Sequence, residues 1–440
     1  MDVRKHNLEV LRLYYPELYE NIKDRACSNE YEVIVSREGC PTVKVGAFFL
    51  HSRYNPVQEA KKFMDTQWDE NQEETVLYGF GFGYHIAEAL ERIQPGQKLY
   101  VFELNMALFN LALANVDITH LLAHPQLTLV ISEDQAYIAR CLHELLVRTN
   151  RLIVYPPSAR AVPERYERLK FLLEVWDKRL LQVKNYMPML QENYSANTQL
   201  GDPNISEFFG RYKGKPIIVV SSGPSLNKNK HLLGQCKGKA LLIAAGSALR
   251  PVLAAGVEPD MFCIIDAIYH TTRKQIEGVE NLNIPLIYLE TASAGTVAAY
   301  QGPRFVAVNS ERSGVRRDEL IESGGSVATA ILDIAIRMGG NPIIFVGQDL
   351  AFTNQEHHAD GRMYGEEEKI KINPTLRQVQ GQNGEMMWTN IGLLGYKYWI
   401  EERIQREKSI TFINATEGGA YIDGCIHMPL SEVLDSYINK

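Results

Sequence analysis

The sequence has 440 residues, of which 45% are hydrophobic and 22% charged, and its 46 basic against 53 acidic residues leave a formal net charge of −7. This composition excludes a disordered, collagen-like or coiled-coil protein, and the length predicts two or three domains. The acidic balance argues against a nucleic-acid partner, although Arg312, Arg316 and Arg317 form a local basic cluster.

Cysteine use and hydropathy predict a reduced, cytoplasmic protein. The six cysteines are scattered, with neither a CxxC pair nor a Cys/His cluster at zinc spacing. The N-terminal segment carries charges throughout, unlike a secretory signal. Because Arg250 and Pro251 interrupt the most apolar stretch, residues 240–257, no membrane span is predicted.

The first part of the chain changes from short strands to a strand–helix alternation. Residues 1–70 begin with a helical pattern and continue with strands at 31–36 and 42–49, so a small β-rich N-terminal region is expected. Over residues 71–160 the segments TVLY, KLYVFELN and LTLVIS alternate with helical patterns, which is typical of a parallel sheet with crossover helices. Residues 161–205 have helical spacing of apolar residues and are interpreted as a connector.

A second parallel-sheet unit is predicted over residues 206–425, followed by a tail at 426–440. Its strands are expected at residues 216–220, 241–245, 261–265, 285–289, 305–308 and 342–346. A helix around residues 392–406 and the strand SITFIN follow. The predicted fold class is α/β, with two Rossmann-like parallel-sheet units, a small β-rich N-terminal region and a helical C-terminal segment.

A glycine cluster follows the strand TVLY. Gly79, Gly81 and Gly83 precede an apolar helix, and Glu103 ends the next strand. Glycines let a backbone approach a dinucleotide, and a carboxylate at this spacing binds ribose hydroxyls. The spacing departs from the nicotinamide-binding fingerprint and the residues between the glycines are bulky, so a structural turn is the favoured interpretation.

A second cluster of small residues ends the apolar strand KPIIVV. Ser221, Ser222, Gly223, Pro224 and Ser225 precede a helix, and their hydroxyl and N–H groups suit phosphate oxygens, with a tight turn as the alternative. The segments GRYKGKP and GQCKGKA lack the spacing of a Walker A loop, so a P-loop NTPase is unsupported.

Further polar residues follow the next strands of this unit. Gly246 and Ser247 follow one strand, and Asp266 ends another, where it suits a sugar hydroxyl or a helix cap. A glycine-rich turn, Ser323–Ser326, precedes a helix in which Asp333 and Arg337 are expected to form a surface pair.

The loop after the strand PIIFV contains the best candidates for a general base. Gln348 and Asp349 end that strand, and His357, His358 and Asp360 follow in the loop. Metal binding is the rival interpretation, but two adjacent histidines rarely converge on one ion and no third ligand is evident.

Together these motifs resemble a known family. SSGPSLNKN, AAGSALRPVLAAGVEPDMFCIIDA, GGSVATAILDIAIRMGGNPIIFVGQDLAFT, HHADG and NATEGGAYIDG are similar to the motility accessory factor (Maf) family of flagellin glycosyltransferases. That core also resembles the 6-hydroxymethylpterin pyrophosphokinases and the bacterial CMP-sialic acid sialyltransferases. HSRYNPVQEA and LYGFGFGYHI extend the resemblance to most of the chain.

The resemblance implies transfer of a nonulosonic acid, of the pseudaminic or legionaminic type, from its CMP donor to Ser or Thr of flagellin. It implies no cofactor and no metal, in agreement with the lack of a DxD motif. The predicted donor-binding residues are Ser221, Ser222, Gly223, Pro224, Ser225, Gly246, Ser247, Asp266, Ser323, Gly324, Gly325, Ser326, Gln348, Asp349 and Asn414. The base is expected beyond Gly347–Ala351, among His357, His358 and Asp360.

Two other functions remain open. In a Mg-ATP-dependent pterin pyrophosphokinase, Asp266 and Asp349 would hold Mg²⁺ against the ATP phosphates. In a flagellin-binding protein without catalysis, the glycine motifs would be purely structural.

Overall fold

The computed structural model describes residues 2–149, 152–310, 315–353, 356, 358–359, 370–373 and 376–439. The chain divides into two compact units, Met1–Lys184 and Asn185–Lys440. The finer division at residues 70, 160, 205 and 425 stays a prediction.

The first unit combines a small antiparallel sheet with a parallel sheet. Its strands are β1 (Glu32–Val35), β2 (Pro41–Val45), β3 (Phe48–Phe49), β4 (Glu74–Tyr78), β5 (Lys98–Glu103), β6 (Leu127–Ile131) and β7 (Leu152–Val154). Its helices are α1 (Val3–Tyr14), α2 (Pro16–Ile22), α3 (Pro56–Gln67), α4 (Tyr84–Leu90), α5 (Met106–Asn115), α6 (Thr119–Leu122), α7 (Gln135–Thr149) and α8 (Pro156–Arg160), and α9 (Glu167–Thr198) runs on into the second unit.

The parallel sheet of the first unit reverses its winding direction beside β4. Within the described residues its strand order is β6-β5-β4-β7, and all its pairs are parallel. Leu77 packs in a core on one face of β4, whereas Val76 and Tyr78 belong to a second core on the other face. Because the strand order reverses between β4 and β7, the loops after these two strands lie where open parallel sheets bind ligands.

The second unit is built on a larger sheet. Its strands are β8 (Ile217–Val220), β9 (Leu241–Ala245), β10 (Met261–Ile264), β11 (Leu286–Leu289), β12 (Arg304–Ala307), β13 (Ile343–Val346), β14 (Arg377–Gln380), β15 (Met386–Thr389), β16 (Phe412–Asn414) and β17 (Ile426–His427). Its helices are α10 (Leu226–Asn229), α11 (Gly246–Ala254), α12 (Tyr269–Ile276), α13 (Ala294–Ala299), α14 (Val327–Arg337), α15 (Ile391–Gln405) and α16 (Leu430–Val433).

All hydrogen-bonded pairs of this larger sheet are parallel. The order in the described part of the chain is β12-β11-β10-β9-β8-β13-β16-β17, and β14 pairs with β15 separately. Every residue of β8, β9, β10, β11 and β13 is buried, as expected for strands covered on both faces. The winding direction reverses between β8 and β13, so the crevice beyond their carboxyl ends is the expected ligand position.

The outer strands of this sheet are short or covered. The outer side of β12 forms a parallel bridge from Val306 to Asn204, and the Val306 N–H donates to the Pro203 carbonyl at 2.9 Å. At the opposite side, β17 contributes only Ile426 and His427.

Helix α14 crosses the centre of the sheet. It contacts β8, β9, β10 and β13. The chain leaves β12 at the carboxyl ends of the strands and must enter β13 at its amino end, so α14 begins at the carboxyl edge. The predicted fold class is confirmed.

Candidate functional site

The loop after β8 lies at the point where the sheet reverses its winding. Gly223 donates its N–H to the Gly347 carbonyl at 2.9 Å, which ties this loop to the one after β13. A Cβ atom at Gly223 would lie 2.0 Å from Asp349 Oδ1, so no larger residue fits there. The small residues predicted from sequence therefore serve a close approach of two loops.

Three predicted site residues from different loops meet beside β8. Ser222 Oγ lies 2.8 Å from Ser247 Oγ and 3.5 Å from His358 Nδ1, the second contact being at the long limit of a hydrogen bond. The Ala359 N–H donates to the Ser222 carbonyl at 2.9 Å. The hydroxyl pair and the imidazole thus share one corner of the crevice.

A second group of hydroxyl side chains binds the two polar residues that follow β13, Gln348 and Asp349. Ser221 Oγ donates to Gln348 Oε1 at 2.6 Å, and the Ser225 and Thr353 hydroxyls each donate to the Asp349 carboxylate at 2.5 Å. Burial raises the pKa of Asp349, while the hydrogen bonds from Ser225 and Thr353 oppose that shift. Thr353 is a member of this group that sequence reasoning missed.

Residues outside the predicted Ser323–Ser326 motif hold the turn before α14 in place. Ser326 caps α14, its Oγ accepting from the Thr329 N–H at 3.4 Å. Thr329 Oγ1 in turn accepts from the Gly324 N–H at 3.0 Å, and Gly325 N–H donates to Ser323 Oγ at 3.2 Å. A Cβ atom at Gly324 would lie 2.5 Å from Trp399 Cγ. Trp399 and Thr329 therefore shape this turn from helices α15 and α14.

Asn414 ends β16, whereas Gly246 directly follows β9 and Asp266 lies two residues after β10. A Cβ atom at Gly246 would lie 2.1 Å from Gln275 Oε1. Asp266 Oδ1 accepts from the Ile268 N–H at 2.9 Å, which is a local turn contact. Asn414 is fully buried, and its Oδ1 accepts from the Thr416 N–H at 3.2 Å. Among the described residues, Asn414 Nδ2 has no hydrogen-bond partner.

Two of the three predicted base candidates, His357 and Asp360, lie outside the described residues. His358 is described and is half-buried. Of the three candidates, His358 is therefore the one that the structure places beside Ser222.

Asp333 and Arg337 form the predicted pair, but the prediction that this pair lies at the surface is wrong. Asp333 is fully buried and accepts from Arg337 Nε at 2.7 Å and from Arg403 Nε at 2.8 Å. Arg403 lies on α15, so the carboxylate joins α14 to that helix. Sequence spacing showed the helical pair but not the distant second arginine.

In the first unit, the glycine loop is closed by side chains of the chain itself. The Phe80 N–H donates to Glu103 Oε2 at 3.0 Å, and the Phe82 N–H donates to His51 Nε2 at 2.9 Å. Burial raises the pKa of Glu103 to about 7. The dinucleotide alternative would use the Glu103 carboxylate to bind a ribose, but this carboxylate accepts a hydrogen bond from the loop's own backbone.

Aromatic rings fill the space beside this loop. His85 stacks on Tyr155, with ring centroids 4.1 Å apart, and one nitrogen of His85 lies 2.7 Å from the Gly79 carbonyl oxygen. The Tyr155 hydroxyl lies 2.9 Å from His51 Nδ1. A Cβ atom at Gly79 would lie 2.5 Å from Ser158 Cβ. These contacts favour the interpretation of the glycine cluster as a structural turn.

The described ranges contain neither a group of metal ligands nor a helix suited to a membrane. There, no three His, Cys, Asp or Glu side chains are grouped closely enough to hold a metal ion. Within the same residues, none of the helices combines the length and apolarity needed to cross a bilayer.

Comparison with known proteins supports the resemblance seen in the sequence. Residues 189–355 match the family model described as 6-hydroxymethylpterin diphosphokinase MptE-like. The fold is similar to the Maf glycosyltransferase from Magnetospirillum magneticum AMB-1, with a TM-score of 0.51 and 16% identity over 97% of this chain and 74% of that one. No curated protein sequence matches the chain. The predicted likeness to Maf proteins with an MptE-like core is confirmed at the level of fold and domain.

Proposed function

We propose that this protein is a glycosyltransferase that moves a nonulosonic acid from a CMP donor to a Ser or Thr hydroxyl of flagellin in the cytoplasm. The observation that carries the proposal is the group of hydroxyl and imidazole side chains at the carboxyl end of β8, where Ser222, Ser247 and His358 meet. The fold shared with a Maf glycosyltransferase and the sequence motifs support the same reaction class.

The donor phosphate is assigned to the Ser222 side of the crevice. The Ser222 and Ser247 hydroxyls are 2.8 Å apart and can turn their protons toward an anion. Helix α14 begins at the same edge of the sheet, and its N-terminal dipole favours negative charge there. Because the chain carries a net charge of −7, such local groups rather than the overall charge must hold the phosphate.

In the proposed reaction, the bond between the anomeric carbon and the phosphate oxygen of CMP breaks first. The acceptor hydroxyl oxygen forms the new bond to that carbon, its proton passes to His358, and CMP leaves with the bonding electron pair. Charge that develops on the leaving phosphate is stabilised by hydroxyl groups and the helix dipole, so we expect transfer to continue without added divalent metal.

Intact-mass spectrometry of flagellin tests the proposal. Flagellin is co-expressed with this protein in cells that make CMP-nonulosonic acids, with flagellin alone as the control. We expect a mass increase equal to one or more nonulosonic acid residues, unchanged by chelator in the purified reaction. Flagellin captured without any mass change would instead identify a binding protein that lacks catalysis.

The match of residues 189–355 to an MptE-like family favours one other candidate, a Mg-ATP-dependent pterin pyrophosphokinase. In that reaction Asp266 and Asp349 would hold Mg²⁺. However, the Asp349 carboxylate already accepts hydrogen bonds from Ser225 and Thr353, which a metal would have to displace. Thermal-shift comparison of CMP with Mg-ATP separates the two: stabilisation by Mg-ATP alone would support the pyrophosphokinase.

A further inference from the structure

The Asp349 carboxylate is a buried junction between two loops. The residue is 3% exposed, and both of its carboxylate oxygens accept hydrogen bonds. Ser225 Oγ donates to Oδ1 and Thr353 Oγ1 donates to Oδ2, each at 2.5 Å. The Ser225 N–H lies 3.3 Å from Oδ2, so the end of the loop after β8 is held by both its side chain and its backbone.

The backbone of Asp349 also binds a third loop, which follows β16. Its carbonyl oxygen accepts from the Ala420 N–H at 2.7 Å. A Cβ atom at Gly419 would lie 2.2 Å from that oxygen, and one at Gly223 would lie 2.0 Å from Asp349 Oδ1. Two glycines therefore let three loops pack against a single aspartate.

These contacts divide the loop after β8 into two parts. At one end, the Ser225 hydroxyl and N–H are directed at Asp349 and are not available to a ligand. At the other end, the Ser222 side chain contacts the Ser247 hydroxyl and the His358 imidazole, and a phosphate oxygen can join this group. Ser225 is thus fixed three residues after Ser222, whose hydroxyl faces that of Ser247.

We infer that Asp349 is a positioning residue, which holds the Ser221–Ser225 loop in its donor-binding form through Ser225 and Thr353 and neither ligates a metal nor takes up the acceptor proton. This inference rests on the proposed function for its ligand, CMP. Its structural part, the anchoring of the loop, is independent of what the crevice binds.

The test uses the full-length protein and conservative variants. Asp349→Asn keeps the shape but replaces one acceptor oxygen with an amide donor that faces a hydroxyl donor. Thr353→Val removes one hydroxyl at constant shape, and Thr353→Ser restores it. Asp260→Asn is the matched control, because Asp260 accepts the Leu242 N–H at 2.8 Å at the amino end of β9, away from the crevice.

Two measurements are made on each variant. Hydrogen exchange of unliganded protein should be at least about tenfold faster over residues 221–226 and 419–421 in Asp349→Asn and Thr353→Val, with Thr353→Ser and Asp260→Asn close to wild type. The Kd for CMP should rise about tenfold in the same two variants, with kcat at saturating donor within about threefold of wild type.

The outcomes separate the inference from the proposed function. Unchanged exchange in Asp349→Asn would overturn the inference, and so would loss of kcat with unchanged CMP affinity, which indicates a chemical role. Mg²⁺ binding to the wild type that is lost in Asp349→Asn would also overturn it. If the wild type binds no CMP, the proposed function fails while accelerated exchange in the variants still supports the anchor.

Discussion

The imidazole of His85 lies against the ring of Tyr155, with centroids 4.1 Å apart, at the carboxyl ends of β4 and β7. This is where the parallel sheet of the first unit reverses direction and where a ligand crevice is expected. The chain therefore fills one crevice with its own rings and lines the other, beside β8, with hydroxyl groups.

His85 should make the first unit less stable in acid. Burial lowers its pKa from 6.5 to about 4, so the unfolded chain takes up a proton first as the pH falls. The stabilisation that wild type has over His85→Gln should shrink by about 2 kcal/mol between pH 7 and pH 5. Urea-dependent hydrogen exchange of the β4 and β5 amides measures this difference. A constant difference over that range would show that His85 does not titrate as its burial predicts.

Glu103 should make the first unit less stable as the pH rises, which is the opposite of the effect of His85. Burial raises its pKa from 4.5 to about 7, so the folded state holds the proton more tightly between those values. Its contribution to stability is present below pH 4.5 and is lost as the pH rises through 7. The stability difference between wild type and Glu103→Gln should therefore fall by about 3 kcal/mol from pH 4.5 to pH 8. The same exchange measurement applies, and an increase with pH would contradict the assignment.

The glycine loop of the first unit should not tolerate a side chain at Gly79. Gly79 has φ +110° and a Cβ atom there would lie 2.5 Å from Ser158 Cβ, whereas Gly96 has φ +92° and open space around it. Gly79→Ala should cost about 1–3 kcal/mol more than Gly96→Ala, because the two share backbone strain but only the first is overpacked. Equal losses in urea unfolding would indicate that Ser158 moves aside.

The buried carboxylate of Asp333 should contribute more to stability than an exposed ion pair nearby. Asp333→Asn leaves the side chain of Arg403, which is 7% exposed, with a weakened partner and should destabilise the second unit by about 3 kcal/mol. Arg406→Ala removes a pair with Glu322 whose side chains are 46% and 45% exposed and should cost less than about 1 kcal/mol. Similar midpoint shifts for both variants in denaturant would rule out this ranking.

His358 should affect sugar transfer but not donor binding. His358→Asn removes the proton acceptor beside Ser222, so kcat should fall by about 10²- to 10⁴-fold while the Kd for CMP stays within about twofold. His120→Asn, an exposed histidine of α6, is the control and should transfer at the wild-type rate. Full activity of His358→Asn would exclude His358 as the general base and leave His357 and Asp360 as the candidates.

The strands of the fold were predictable because they are buried on both faces. The strand predicted at residues 241–245 has those bounds in the structure, and that at 342–346 begins one residue later. A continuous apolar run between turn residues is a strong signal for a parallel strand. The polar residues at the strand ends followed directly, since parallel strands bring their carboxyl ends to one edge.

Contacts between distant segments were not predictable. His51 closes the glycine loop from 31 residues before Phe82, and Arg403 reaches Asp333 across 70 positions. Thr353 and Trp399 join the site through the packing of a loop and a helix, for which the sequence contains no periodic signal. Glycines and hydroxyl residues thus indicated where the site lies, while its supporting contacts required the folded chain.

The outer strands of the large sheet have a consequence for association between molecules. An exposed strand edge is a template for adding another chain, and long flat edges promote aggregation. Here the outer side of β12 is already bridged by Asn204, and β17 is two residues long. Among the described residues, a second molecule would therefore meet a bridged strand on one side and a two-residue strand on the other, and neither is the long flat edge that promotes aggregation.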